Sequence, residues 1–175
     1  MAPLRRTLSG LGHRALPWKH GLNRGRLSVL VNALLAEFEQ YQDTKIHLVG
    51  WSFGGLVARQ VARLAPHRIA QVITLGTPVQ GGPKYTAVVG VYRKKGYDLE
   101  SLAAAHKRRE AIPIPVPITA IYSRNDHFVC PAACIDSEGS HVHHIELQCS
   151  HTGLVIHPAA HTAIAELLWK GTRDP

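Results

Sequence analysis

Residues 50–54 read Gly-Trp-Ser-Phe-Gly and lie between an apolar run, KIHLVG, and a helical pattern, FGGLVARQVARLA. No other feature of the chain restricts its fold as much. A serine on a tight strand-to-helix turn takes strained backbone angles and has little room around it, so small residues two before and two after it keep neighbouring elements from colliding. Gly55 lets the helix approach closer still. A plain helix cap at Ser52 is the rival reading, but a cap does not require small residues on both sides of its turn. The helix start presents unpaired backbone N–H groups and a partial positive charge beside the serine oxygen. Ser52 is thus a candidate nucleophile, and the Phe53 N–H a candidate oxyanion donor.

The rest of the chain alternates helical and strand patterns around this turn. Leu27, Leu30, Val31, Leu34, Leu35, Phe38 and Tyr41 recur at three- and four-residue spacing, which predicts a helix over 26–42 ended by Asp43 and Thr44. A mostly apolar strand follows over 45–51, then a helix over 53–65 stopped by Pro66, then a buried strand over 69–76. TPVQGGP at 77–83 is turn chemistry, and a helix is expected over 98–109 with Asp98 and Glu100 at its start and Lys107, Arg108 and Arg109 at its end, as the macrodipole favours. Pro113, Pro115 and Pro117 force an extended approach to a third buried strand over 118–123. A fourth strand over 141–147 and a last helix opened by Pro158 complete the pattern. Such alternation predicts an α/β fold, a mostly parallel sheet with helices on both faces, in a single domain spanning 1–175. The segment 77–117 is the expected lid or cap insertion.

Serine is a poor nucleophile near neutral pH and needs an imidazole, which in turn needs a carboxylate to fix its tautomer. Asp126 follows the third strand in IYSRNDHFV, and His151 follows the fourth in CSHTGL, giving the order serine, acid, histidine. Loops at the carboxyl ends of parallel strands converge on one edge of the sheet. Asp136 and Glu138 compete as acids, and His127, His143, His144 and His157 as bases, but each sits within or beyond an element from which convergence is harder.

LVGWSFGG, the following LGTP, IYSRNDHFV and SHTGL together resemble bacterial lipases and esterases of the α/β-hydrolase superfamily, over almost the whole chain. The resemblance implies hydrolysis of carboxylic esters through an acyl-enzyme intermediate, without metal or organic cofactor, with Ser52, Asp126 and His151 at the triad positions. Two rivals stay open: a non-catalytic remnant of the fold that binds a ligand or partner, and acyl transfer or thioester cleavage on the same triad.

Composition narrows the partners. A hydrophobic fraction of 45% against 18% charged suits a globular chain, and no apolar run is long enough for a transmembrane helix. The net charge of +8 includes two small clusters, Arg93 to Lys95 and Lys107 to Arg109, but neither is interleaved with stacking aromatics and no nucleic-acid motif is present. A small-molecule or lipid ester substrate, with peripheral contact to a lipid surface, is the better expectation. The three cysteines, Cys130, Cys134 and Cys149, argue against a disulfide framework and for a cytoplasmic address, with a Cys134–Cys149 pair left open. Among 12 histidines, His157 and His161 are four apart, but no glutamate follows His157 in the zinc-protease manner, and no metal is expected.

Relatives of this kind open with several strands, one of which ends in a glycine-bearing loop that supplies a second oxyanion N–H. By that resemblance residues 1–12 read as the helix after the loop and His13 to Lys19 as the next strand, so the chain is expected to be truncated at its N-terminus. Loss of a strand between 13–19 and the strand preceding Ser52 would orphan backbone groups at about 1 to 3 kcal/mol each where buried. The 175-residue chain is therefore expected to be a fragment, a wrongly started reading frame or poorly stable. Cooperative thermal unfolding together with full esterase activity of the purified chain is the result that contradicts this.

Overall fold

The computed structural model describes residues 1–21, 26–41, 44–137, 139 and 142–170. Four strands, β1 (Ile46–Trp51), β2 (Ile69–Leu75), β3 (Ile118–Tyr122) and β4 (Val142–Glu146), lie side by side in sequence order. Every neighbouring pair is parallel. Parallel neighbours need crossovers; helices supply those from β1 to β2 and from β2 to β3, and a loop with a 3-10 turn at Pro131–Cys134 supplies that from β3 to β4. The expected fold class, a parallel sheet with helices on both faces, is what forms.

Strand periodicity divides the core into two layers. On one face Leu48, Ile69, Val72 and Ile118 pack with Leu30, Val31 and Phe38 of α2 (Leu27–Phe38) and Val57, Ala58, Val61 and Ala62 of α3 (Phe53–Leu64). On the other, Ile73, Leu75 and Ile121 pack with Leu4 and Leu8 of α1 (Ala2–Gly10), Leu154 and Val155 of α6 (Gly153–Ile156), and Ile164 and Leu168 of α7 (Pro158–Lys170). Adjacent residues Val72 and Ile73 thus serve opposite layers, and both are 0% exposed.

Most expected elements form within one or two residues of their expected bounds; Gln42 and Asp43, at the expected end of the second helix, and His141, at the expected start of the fourth strand, lie outside the described residues. One expectation fails. Residues 13–19 form no strand. Among the described residues β1 is bonded to β2 alone. The nearby Trp18 indole instead donates to the Gly21 carbonyl at 2.8 Å and packs edge-on against His20. Without a neighbour to complete a ladder, extended backbone is not a strand.

The segment between β2 and β3 carries a 3-10 turn at Gly82–Tyr85, a short helix α4 (Val89–Lys94) and α5 (Leu99–Glu110). Asp98 caps α5, its carboxylate accepting from the Glu100 and Ser101 N–H groups. Polar contacts then clasp the segment to the rest of the molecule. Arg59 of α3 is 3% exposed and donates to Glu110 at 2.8 Å and to Asp136 at 2.6 Å, and Arg63 donates to the same Glu110 carboxylate. Buried His106 of α5 meets the Val79 carbonyl at 2.7 Å. Burial alone would raise the Glu110 carboxyl, but the Arg59 and Arg63 guanidinium groups outweigh it and hold the group below the ordinary carboxylate value.

A lowered folded-state pKa means that Glu110 contributes stability in full above its unfolded value, and that this is lost as pH falls through its lowered folded value. Glu110→Gln leaves two arginines short of a charge partner, and breaking a buried pair in this way costs about 3 to 5 kcal/mol. Urea unfolding across pH should show the variant well below the parent at pH 7 and the two curves converging in acid; parallel curves at all pH values would refute the assignment.

Candidate active site

The carboxyl ends of β1 to β4 build the site. Ser52 follows β1 directly, with φ 55° and ψ −125°, and is the one residue other than glycine with positive φ among the described residues. Such a conformation costs on the order of 1 to 3 kcal/mol and persists only where surroundings over-determine it. Here three bonds do so: the Ser52 N–H donates to the Leu75 carbonyl at 2.8 Å, and the Ser52 carbonyl accepts from the Gly55 N–H and from Thr77 Oγ1, both at 3.0 Å.

Glycine accounts for the remaining room. A Cβ on Gly50 would lie 2.5 Å from the Gly54 carbonyl oxygen and from the Gly55 Cα, and one on Gly55 would overlap the Thr77 side chain. Gly54 differs from the sequence expectation: a Cβ there meets nothing within 4 Å, so the close approach is made by Gly50 and Gly55 alone. Phe53 is the first residue of α3, so its N–H has no intrahelical acceptor and faces the helix start beside Ser52.

Asp126 and His151 come together. The His151 Nδ1 and Asp126 Oδ2 are 2.6 Å apart, with both residues buried. The other carboxylate oxygen of Asp126 accepts from the Phe128 N–H at 2.8 Å and the Val129 N–H at 2.9 Å. Burial pushes this carboxyl up, but the His151 hydrogen bond and the two backbone N–H groups outweigh it and hold it below its ordinary value, so it stays ionised at neutral pH. Ser123 ties the two loops together, donating to the Cys149 carbonyl at 2.6 Å and accepting from the Cys149 N–H at 3.2 Å.

The imidazole's other nitrogen, Nε2, is buried and has no hydrogen-bond partner. Ser52 is linked to His151 through its neighbour: the Trp51 indole N–H donates to the His151 carbonyl at 3.0 Å, and the two rings lie 5.0 Å apart. The serine–imidazole hydrogen bond is thus not formed. Catalytic hydrogen bonds are commonly long in unliganded proteins and tighten around substrate.

The competing residues are occupied elsewhere or exposed. Asp136 pairs with Arg59, and its N–H donates to His144 Nε2 at 3.0 Å. His127, His143 and His157 are exposed, while Glu138 and His141 lie outside the described residues. His157 precedes α7 whereas His161 is inside it, and both His161 nitrogens are engaged, with Thr7 and the Val155 carbonyl at 3.0 Å. No group of three or more potential metal ligands occurs among the described residues. Cys130, Cys134 and Cys149 are all free thiols, and burial pushes the Cys134 thiol up to about 12, which keeps it protonated and inert.

Gly76, which sequence reasoning missed, lies beneath the Asp126–His151 pair. At φ +54° it follows β2, and a Cβ there would stand 3.0 Å from His151 Nδ1, 3.1 Å from Asp126 Oδ2 and 2.8 Å from the Leu154 side chain. Its position at the carboxyl end of a buried strand was the available signal. Trp51 and Phe128 were missed as well; the Phe128 ring stacks on the imidazole at 4.9 Å with 21° between planes.

A family model described as alpha/beta hydrolase fold matches residues 10–93, a span that includes Ser52 but neither Asp126 nor His151. A triacylglycerol lipase of Pseudarthrobacter phenanthrenivorans is 53% identical over 38 residues, which are 22% of this chain and 12% of that lipase. Among solved structures, an esterase domain from a Rhodothermus marinus protein superposes with a TM-score of 0.70 at 20% identity, covering 98% of this chain and 79% of that one. Alpha/beta hydrolase domain-containing protein 10 from mouse gives 0.65 at 16% identity, covering 97% and 81%.

The glycine geometry separates two substitutions that look alike in sequence. Gly50→Ala forces a methyl against backbone that cannot yield, at about 1 to 3 kcal/mol, whereas Gly54→Ala enters open space near a helix start. Thermal denaturation should show a lowered midpoint for the first and none for the second; equal losses would contradict the geometry.

Proposed function

We propose that this chain, a member of the α/β-hydrolase superfamily, is a serine hydrolase that cleaves carboxylic esters, with Ser52 as nucleophile, His151 as general base and Asp126 as the acid that orients it. The observation that carries this is the buried His151–Asp126 pair at 2.6 Å, standing at the same sheet edge as a serine held at positive φ. In the proposed reaction His151 Nε2 takes the Ser52 hydroxyl proton as the oxygen attacks the acyl carbon. The developing oxyanion is received by the Phe53 N–H, a donor of a kind worth about 10²- to 10³-fold in turnover. His151 then protonates the departing alcohol, leaving an acyl group on Ser52. Water, deprotonated by the same imidazole, releases the acid and returns the proton to Ser52.

Asp126 remains a carboxylate throughout, its charge offsetting that of the imidazolium. The similarity to a triacylglycerol lipase supports a small or lipid ester as substrate, and the segment 77–117, whose Thr77 bonds the Ser52 carbonyl and whose Thr86 bridges to Val129, is proposed as its lid or cap.

Ser52→Ala should abolish labelling by a fluorophosphonate probe, and persistent labelling would contradict the nucleophile. Asp126→Asn should retain the fold while ester turnover falls about 10²- to 10⁴-fold. A parent chain that binds short p-nitrophenyl esters without turning them over would favour a ligand-binding role instead.

A further inference from the structure

A hydrogen bond to a carboxylate fixes one end of an imidazole but not its plane. With Nδ1 anchored to Asp126, the His151 ring can still rock about the line joining the two, and that motion carries Nε2 along an arc. Nε2 is the nitrogen without a partner, so Asp126 alone does not determine its position.

Two aromatic rings lie where they restrict this motion. The Phe128 ring stacks on the imidazole at 4.9 Å, and the Trp51 ring lies 5.0 Å away at a 36° tilt. Each comes from an element that also carries another member of the site. Trp51 immediately precedes Ser52 and also donates its indole N–H to the His151 carbonyl, so it restrains both ring and backbone. Phe128 follows Asp126 by two residues and donates its N–H to the same carboxylate that holds His151.

Phe128 is 40% exposed, so core packing does not account for its placement. Its backbone is held instead by the segment between β2 and β3. The Ala87 N–H donates to the Phe128 carbonyl at 2.7 Å, the Cys130 N–H donates to the Tyr85 carbonyl at 2.9 Å, and Thr86 bridges antiparallel to Val129. This short pairing fixes the strand of backbone from which the ring projects.

We infer that Trp51 and Phe128 are positioning residues that set the plane of the His151 imidazole, and that residues 85–87 hold Phe128 in place to do so. The inference rests on the proposed serine-hydrolase function and adds to it the groups that aim the base. A ring free to rock presents Nε2 to Ser52 for a smaller fraction of the time, which slows deprotonation without weakening substrate binding. Small misplacements of reacting groups are costly: about 1 Å can cost 10²-fold in rate.

Phe128→Ala is the decisive variant, because an exposed side chain can be removed without emptying the core. Steady-state ester hydrolysis should show kcat lower by about tenfold or more with KM unchanged, and the fluorophosphonate labelling rate should fall by a similar factor. Phe128→Tyr, which keeps the ring, should restore both. Trp51→Phe keeps a ring but loses the hydrogen bond, and should fall between the parent and Trp51→Leu. Parent-like labelling by Phe128→Ala would overturn the inference, as would a raised KM with unchanged kcat, which would make Phe128 a substrate contact. The imidazole plane in a crystal structure of Phe128→Ala gives a readout independent of turnover: it should be rotated or spread about the line from Nδ1 to Asp126, and a single parent-like orientation would also overturn the inference. A parent chain that never labels at Ser52, together with a displaced imidazole in Phe128→Ala, would refute the proposed function while leaving the ring placement supported.

Discussion

The left-handed turn at Ser52 is the constraint to which the rest of the structure answers. An L-residue holds φ near +55° only where neighbours compensate, and here compensation comes from three directions. β2 accepts the serine N–H through Leu75, Thr77 and Gly55 satisfy its carbonyl, and the absence of a Cβ at Gly50 and Gly55 lets strand and helix close around the turn. The strand order follows the same need. β2 must lie beside β1 for Leu75 and Thr77 to reach Ser52, and β3 beside β2 for the Asp126 loop to reach the space over Gly76.

A second layer of polar contacts fixes what faces the turn. Asp126 is committed on both oxygens, and Ser123 locks the loop bearing His151 to the end of β3. On the far side of α3, Arg59 and Arg63 bind Glu110 and Asp136, tying the helix that follows Ser52 to α5 and to the loop after Asp126. The apolar layers give the sheet its two covers, while these buried ionic and hydrogen-bonded contacts give the strand ends their relative positions. Beside the Asp126 pair, His151 Nε2 is left without a partner.

Features set by short-range sterics were legible in the sequence. The strand-to-helix turn at Ser52 could be read because its glycines and serine lie within six residues, and α3, α5 and the buried strands because periodicity and capping are local properties. A meeting of Asp126 and His151 was expected from chain order and loop position, and their 2.6 Å contact depends on the strand register that brings β3 and β4 together. Features requiring a distant partner were not legible. Nothing local distinguishes Gly76 from an ordinary turn glycine until Asp126 and His151 are placed above it, and Arg59 lies in a helical pattern like any other until Glu110 and Asp136 arrive from other segments. The failed strand at 13–19 has the same origin: extended backbone becomes a strand through a neighbour that its own residues do not specify. Gly54 erred the other way, since the motif suggested crowding at a position that is open.

The central claim is that one oxygen and one ring nitrogen, now unbonded, meet during reaction. A crystal structure of the chain after reaction with an alkyl phosphonate tests it directly. The account predicts continuous density from Ser52 Oγ to phosphorus, the Phe53 N–H within hydrogen-bond distance of a phosphonyl oxygen, and His151 Nε2 turned toward the adduct while Nδ1 stays on Asp126. Phosphorus on any other residue, or an imidazole pointing away from an adduct on Ser52, would contradict it.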